Sequence, residues 1–70
     1  MIRYDPFWKT LKRKQMTQYT LIERYEISSS TLFKMKHNQI CSLHTIDRLC
    51  GILDCSIVDI VEYYKDSDEQ

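Results

Sequence analysis

Apolar positions recur along this chain at helical intervals, interrupted by short polar stretches. Phe7, Trp8 and Leu11 fall on one face of a segment whose other face carries Lys9, Lys12 and Arg13. Asp5-Pro6 stands ahead of them and predicts a helix over 6–14. Asp5 is expected as its N-cap, with Pro6 at the first helical position, where a missing N–H costs nothing. Behind Thr17, the spacing of Leu21, Ile22 and Tyr25 predicts a second helix over 18–25. Ser28 opens a third, over 29–36, with Thr31, Leu32 and Met35 inward. Residues 37–42, HNQICS, read as a loop whose last residue, Ser42, caps a fourth helix. Its stripe of Leu43, Ile46, Leu49, Cys50 and Leu53 is the cleanest in the chain and predicts residues 43–53. Ser56 and Asp59 resemble a capping box with Asp in the Glu role. Ile57, Ile60, Val61 and Tyr64 then predict a fifth helix over 57–64, and the polar residues 65–70 read as a frayed tail.

Composition narrows this to a single small helical domain. The chain has 70 residues with one Gly and one Pro, so breakers are scarce and turns must be economical. At this size only about 60 % of the unfolded surface is buried on folding, and stability is marginal. No apolar run approaches the roughly 18 residues of a membrane span, and the amino terminus lacks the pattern of a secretion signal, so a cytoplasmic protein is expected. Three cysteines, Cys41, Cys50 and Cys55, favour free thiols over a disulfide frame. The Cys41-x-x-His44 spacing raises zinc, but Cys50 belongs to an apolar stripe, and buried or partly buried thiols with no metal or other cofactor are the expectation. No Gly-rich phosphate loop or catalytic constellation is present, the carboxylates cluster towards the carboxyl end, and an enzyme is not expected.

Zero net charge hides a strong asymmetry. Residues 1–40 hold eight basic and three acidic side chains, a balance of +5, and residues 41–70 hold two basic and seven acidic, a balance of −5. Such polarity favours an anionic partner on the amino-terminal side.

Three consecutive serines in YEISSSTLFKMK (residues 25–36) suit either a flexible linker or a small polar helix start. Ile27, Leu32 and Met35 tie the stretch to a core on both sides, which favours the helix. Residues 18–37, QYTLIERYEISSSTLFKMKH, resemble the helix-turn-helix of the phage-repressor/Cro-like family of small bacterial and phage transcriptional regulators. Matching features are the Thr17-Gln18 start, Leu21 in the first helix, Ile27 in the turn, the Ser28 cap, and Leu32 and Met35 beyond it. Downstream, Thr45, Leu49, Cys50, Leu53, Cys55, Asp59 and Ile60 carry a run similar to the family's closing helices. Three positions depart from the family pattern: Ile22 replaces a usual Ala, Glu26 a usual turn Gly, and Asn38 a usual Gly after the third helix.

The resemblance implies an all-α, compact five-helix, lambda-repressor-like DNA-binding domain spanning residues 1–70, with its ordered core at about 4–64. It implies a homodimer on double-stranded operator DNA, with the third helix in the major groove, and no membrane or small-molecule partner. Ser29 and Ser30 then take the first base-reading positions, with Phe33 and Lys34 one turn later. Gln18, Lys36, Asn38 and Thr17 are expected on phosphates. Ordinary structural roles stand beside these. Ser28 is counted with the DNA-binding set but is a cap whatever the function, Asn38 is a cap before it is a contact, and Phe33 suits the core or a dimer contact as well as a thymine methyl. Lys9, Lys12, Arg13 and Lys14 are first a solvated face, and His37 and His44 surface or capping residues. Val58, Val61, Tyr63 and Tyr64 are candidates for the dimer surface. A protein-binding module on the same fold, an antirepressor or antitoxin-like partner, is the alternative.

Overall fold

The computed structural model describes residues 1–65; of the expected polar tail, all but Lys65 lies outside the described residues. Four α-helices, α1 (Asp5–Arg13), α2 (Gln18–Tyr25), α3 (Ser29–Lys36) and α4 (Leu43–Leu53), follow a short strand, β1 (Ile2–Arg3). A 3₁₀ turn (Ile57–Asp59) and a second strand, β2 (Glu62–Tyr63), come after them. The strands pair antiparallel, with Ile2 opposite Tyr63 and Arg3 opposite Glu62.

The core is one cluster of Tyr4, Phe7, Leu11, Leu21, Ile27, Leu32, Met35, Ile46, Leu49, Leu53 and Ile60. All four helices contribute to it, and Ile2 of β1 packs against it. Three helices start as the sequence dictates. The hydroxyls of Thr17, Ser28 and Ser42 accept hydrogen bonds from the N–H groups of Thr20, Thr31 and Thr45 at 3.1, 3.1 and 3.2 Å. Each satisfies a donor that the helix itself leaves without a partner.

α1 begins differently from the expectation. Tyr4 is its N-cap and Asp5 its first residue. The Asp5 carboxylate turns back to Arg3 Nε at 3.3 Å instead of capping. It still sits in the first turn, where a negative charge suits the helix dipole.

The fifth helix does not form. Only the single 3₁₀ turn is helical, and the chain then extends into β2. Ile57, Val58, Ile60 and Val61 are all β-branched and lose side-chain freedom in a helix. An eight-residue helix is marginal even with good formers. Pairing with β1 gives the same backbone partners across the sheet. The Ser56–Asp59 box does appear, with the Asp59 carboxylate accepting from the Ser56 N–H at 3.1 Å. Of the residues expected inward here, Ile60 is buried and Val61 half-buried, whereas Ile57 and Tyr64 are exposed. Tyr25 and Leu43 are also exposed, Leu43 at 76 %.

The 3₁₀ turn lies against α1 and α4. Thr10, a buried polar residue, fastens it there by donating from Oγ1 to the Asp59 carbonyl at 2.8 Å. Tyr4 does a comparable job on the other side. Its N–H donates to Asn38 Oδ1 at 3.1 Å, its hydroxyl donates to the Gln39 carbonyl at 2.9 Å, and the Cys41 N–H donates to that hydroxyl at 3.1 Å.

Each α-helix is followed by a left-handed residue, and none of these is glycine: Gln15, Glu26, Asn38 and Asp54 have φ of 58, 58, 57 and 53°. The lone glycine, Gly51, sits instead inside α4, where an added Cβ would meet nothing within 4 Å. Gly51→Ala is therefore expected to raise stability by roughly 0.5–1 kcal/mol, read by urea denaturation.

Burial pushes the Tyr4 hydroxyl from the ordinary 10.0 up to about 12. A raised value in the folded state means that the contribution is intact below the unfolded value and is lost as pH rises from about 10 to 12. The stability advantage of the wild type over Tyr4→Phe should shrink across that window in denaturation curves, and be constant below it.

Candidate nucleic-acid interface

α2 and α3 are eight residues each and are joined by the three residues 26–28. Neither helix has enough internal bonding to persist alone. Leu21 from α2, Ile27 from the turn, and Leu32 and Met35 from α3 hold the pair by burial in the common core. Glu26 makes the turn in the left-handed conformation, at a steric penalty of roughly 1 kcal/mol for a residue with a Cβ. The Ile27 N–H reaches back to the Leu21 carbonyl at 3.1 Å. From α4, Arg48 donates to the Tyr25 carbonyl at 2.6 Å and closes the carboxyl end of α2.

Ile22, half-buried where the family has a small residue, lines a cleft between the two helices. This cleft has a volume of about 210 Å³ and is lined by Gln18, Ile22, Ser29, Leu32, Phe33 and Lys36. Ser29, Phe33 and Lys36 share one face of α3 at i, i+4, i+7, and Gln18 opposes them from the first turn of α2. Ser30 and Lys34 are exposed and lie on an adjoining stripe of α3.

The nine expected contact residues therefore divide. Gln18, Ser29, Phe33 and Lys36 converge on the cleft, while Ser30 and Lys34 flank it. Thr17 and Ser28 are engaged as caps: the Thr17 hydroxyl also contacts that of Thr20 at 3.0 Å, and the Ser28 hydroxyl those of Ser30 and Thr31 at 3.2 and 2.9 Å. Asn38 ends α3 in the left-handed conformation, as its place in the sequence suggests, with its side-chain oxygen occupied by Tyr4. Phe33 is 58 % exposed, so the core reading of this residue fails. Its ring stands 4.4 Å from that of His37, tilted by 51°.

Sequence reasoning missed three residues around this site. Tyr19 is exposed beside Gln18, and the period of α2, with Leu21 and Ile22 inward, could have placed it outward. Tyr4 and Arg48 act on backbone groups more than twenty residues away, for which the sequence carries no local sign. The cysteines are free and half-buried, as expected. Burial, with help from the neighbouring Cys50, pushes the Cys55 thiol up. Among the described residues no group of three or more His, Cys, Asp or Glu side chains is placed to hold a metal ion. No helix among them is long and apolar enough to cross a membrane.

Two short helices at a capped turn, with the second presenting a polar, lysine-bearing face, make a helix-turn-helix DNA-binding domain. The sequence profile of the Cro/C1-type HTH DNA-binding domain matches residues 7–66, and the chain belongs to that family. Among solved structures, it is similar to the crystal structure of the transcriptional regulator VanUg, with 31 % sequence identity and a TM-score of 0.83 over 93 % of this chain and 87 % of that one. No curated protein matches the chain.

The division between cap and contact is testable. Ser28→Ala should cost about 1 kcal/mol of folding stability. Ser29→Ala should leave the denaturation midpoint nearly unchanged, because its side chain lines the cleft and caps nothing.

Proposed function

We propose that the protein is a sequence-specific, double-stranded-DNA-binding transcriptional regulator that represses or autoregulates by occupying promoter DNA. The observation that carries this reading is the convergence of Gln18, Ser29, Phe33 and Lys36 on one exposed cleft in a member of a DNA-binding family. In the proposed complex α3 enters the major groove amino end first, with Ser29 and Ser30 at base edges and Phe33 against a thymine methyl. Lys34 and Lys36 meet guanine or phosphate, and the first turn of α2, with Thr17 and Gln18, grips the backbone. No Arg, Asn or Gln stands at the base-reading positions of α3 to make a bidentate contact, so water and DNA shape carry part of the specificity.

A single recognition helix makes few base contacts, and the protein acts as a homodimer on two half-sites about one turn of DNA apart. Val58, Tyr63 and Tyr64 are exposed on the side that follows α4, which supports a contact between copies there. The basic amino-terminal half faces DNA, the acidic half faces away, and the protein works in the cytoplasm.

A second reading, a protein-binding module that retains the fold without reading sequence, is favoured by the exposed apolar side chains of Ile40 and Leu43. Selection of bound sequences from a random duplex pool separates the two. A palindromic consensus is expected, and absence of enrichment would overturn the DNA reading. On the selected duplex, Lys34→Ala and Lys36→Ala should each weaken binding without unfolding the domain. Each should also reduce the slope of log affinity against log salt by about one unit, measured by fluorescence anisotropy.

A further inference from the structure

Tyr4 lies outside the helix-turn-helix, yet three of its hydrogen bonds end at the exit of α3. The last turn of α3 closes with the Asn38 N–H on the Met35 carbonyl at 3.1 Å and the Gln39 N–H on the Lys34 carbonyl at 2.8 Å. This arrangement puts Asn38 in the left-handed conformation, at φ 57°. Tyr4 is 1 % exposed and grips the motif at three successive points: the Asn38 side chain, the Gln39 carbonyl and the Cys41 N–H. The last two share the single phenolic oxygen, which donates to one and accepts from the other. Tyr4 is itself fixed as the N-cap of α1 and by β1, which precedes it. Among the described residues the amino end of α3 is hydrogen-bonded by its own Ser28 cap, and the exit of the helix is where Tyr4, from another element of the fold, holds it.

We propose that Tyr4 is a positioning residue for DNA reading: its hydroxyl sets the orientation in which α3 presents Ser29, Ser30, Phe33 and Lys34 to the groove. The inference rests on the DNA reading of α3. Phosphate contacts tolerate a small rotation of a helix, because long lysines follow the backbone, whereas base-edge contacts do not. Loss of the hydroxyl therefore lowers specific binding more than non-specific binding.

Tyr4→Phe keeps the ring in the core and removes both hydroxyl hydrogen bonds. Thr10→Val is the matched control. It removes the buried bond to the Asp59 carbonyl, far along the chain from α3, and lowers stability by a comparable route. Both are measured well below their unfolding temperatures, with circular dichroism showing the folded state.

Two readouts are taken. In the free protein, amide hydrogen exchange at Asn38, Gln39 and Cys41 should quicken in Tyr4→Phe and not in Thr10→Val. In anisotropy, Tyr4→Phe should weaken binding to the selected duplex by about fivefold. Its binding to a scrambled duplex and its salt slope should stay unchanged, and Thr10→Val should shift neither duplex by more than about twofold. Equal loss on both duplexes, or equal loss in the two variants, would show a merely structural tyrosine and overturn the inference. Unchanged specific binding in Tyr4→Phe would overturn it while leaving the DNA reading intact. Failure of the wild type to select any sequence would overturn the DNA reading, and the inference with it.

Discussion

Burial of four apolar side chains, Leu21, Ile27, Leu32 and Met35, is the interaction on which the rest of this structure depends. α2 and α3 are too short to persist in water by their own hydrogen bonds. Each acquires a fixed orientation because one edge is drawn under Phe7, Leu49 and Ile60 in a shared cluster. The polar faces of both helices are then presented outward as a consequence of what is hidden. The exposed faces of a domain of this size are thus a by-product of the core.

The parts of the fold legible in the sequence are those governed by neighbours along the chain. α2, α3 and α4 fall where the hydroxyl caps at Thr17, Ser28 and Ser42 and the apolar spacing place them. A left-handed turn at Glu26 and a left-handed cap at Asn38 were also readable, because glycine is the family's residue at both. The stretch 57–64 was not. Its period suits a helix, but four β-branched residues and a strand partner some sixty residues earlier outweigh that period. Periodicity likewise misled for Leu43, at the start of α4, and for Tyr25, at the end of α2, because a stripe says nothing of whether its end members reach the core. At the candidate site the exposure of Ser29, Ser30, Lys34 and Lys36 was legible, since α3 has only a narrow apolar edge. That Asn38 is held by Tyr4 was not, because the two lie 34 residues apart.

Small domains must fasten their elements with few atoms, and here polar groups do so at each junction. Thr10 joins α1 to the 3₁₀ turn, Arg48 joins α4 to the end of α2, and Tyr4 joins the amino-terminal strand to the exit of α3. Tyr4 and Thr10 are nearly inaccessible, so their bonds are made where water has little access, whereas the Arg48 bond lies at the surface. Such bonds specify arrangement more than they add stability, because the same groups would be hydrogen-bonded to water in the unfolded chain.

Pairing of β1 with β2 closes the stretch between them into a ring. The Met1 amine meets the Tyr64 carbonyl, and the Tyr64 N–H returns to the Met1 carbonyl at 2.8 Å. Strands of two residues cannot hold such a ring alone, so the sheet exists only once the helices have formed. Closure over so long a span is entropically the most demanding step of the assembly, and the helices, built from local contacts, precede it. The core can therefore hold α2 and α3 in outline while the strands are still apart, and pairing of β1 with β2 then ties residues 1–3 to residues 62–64.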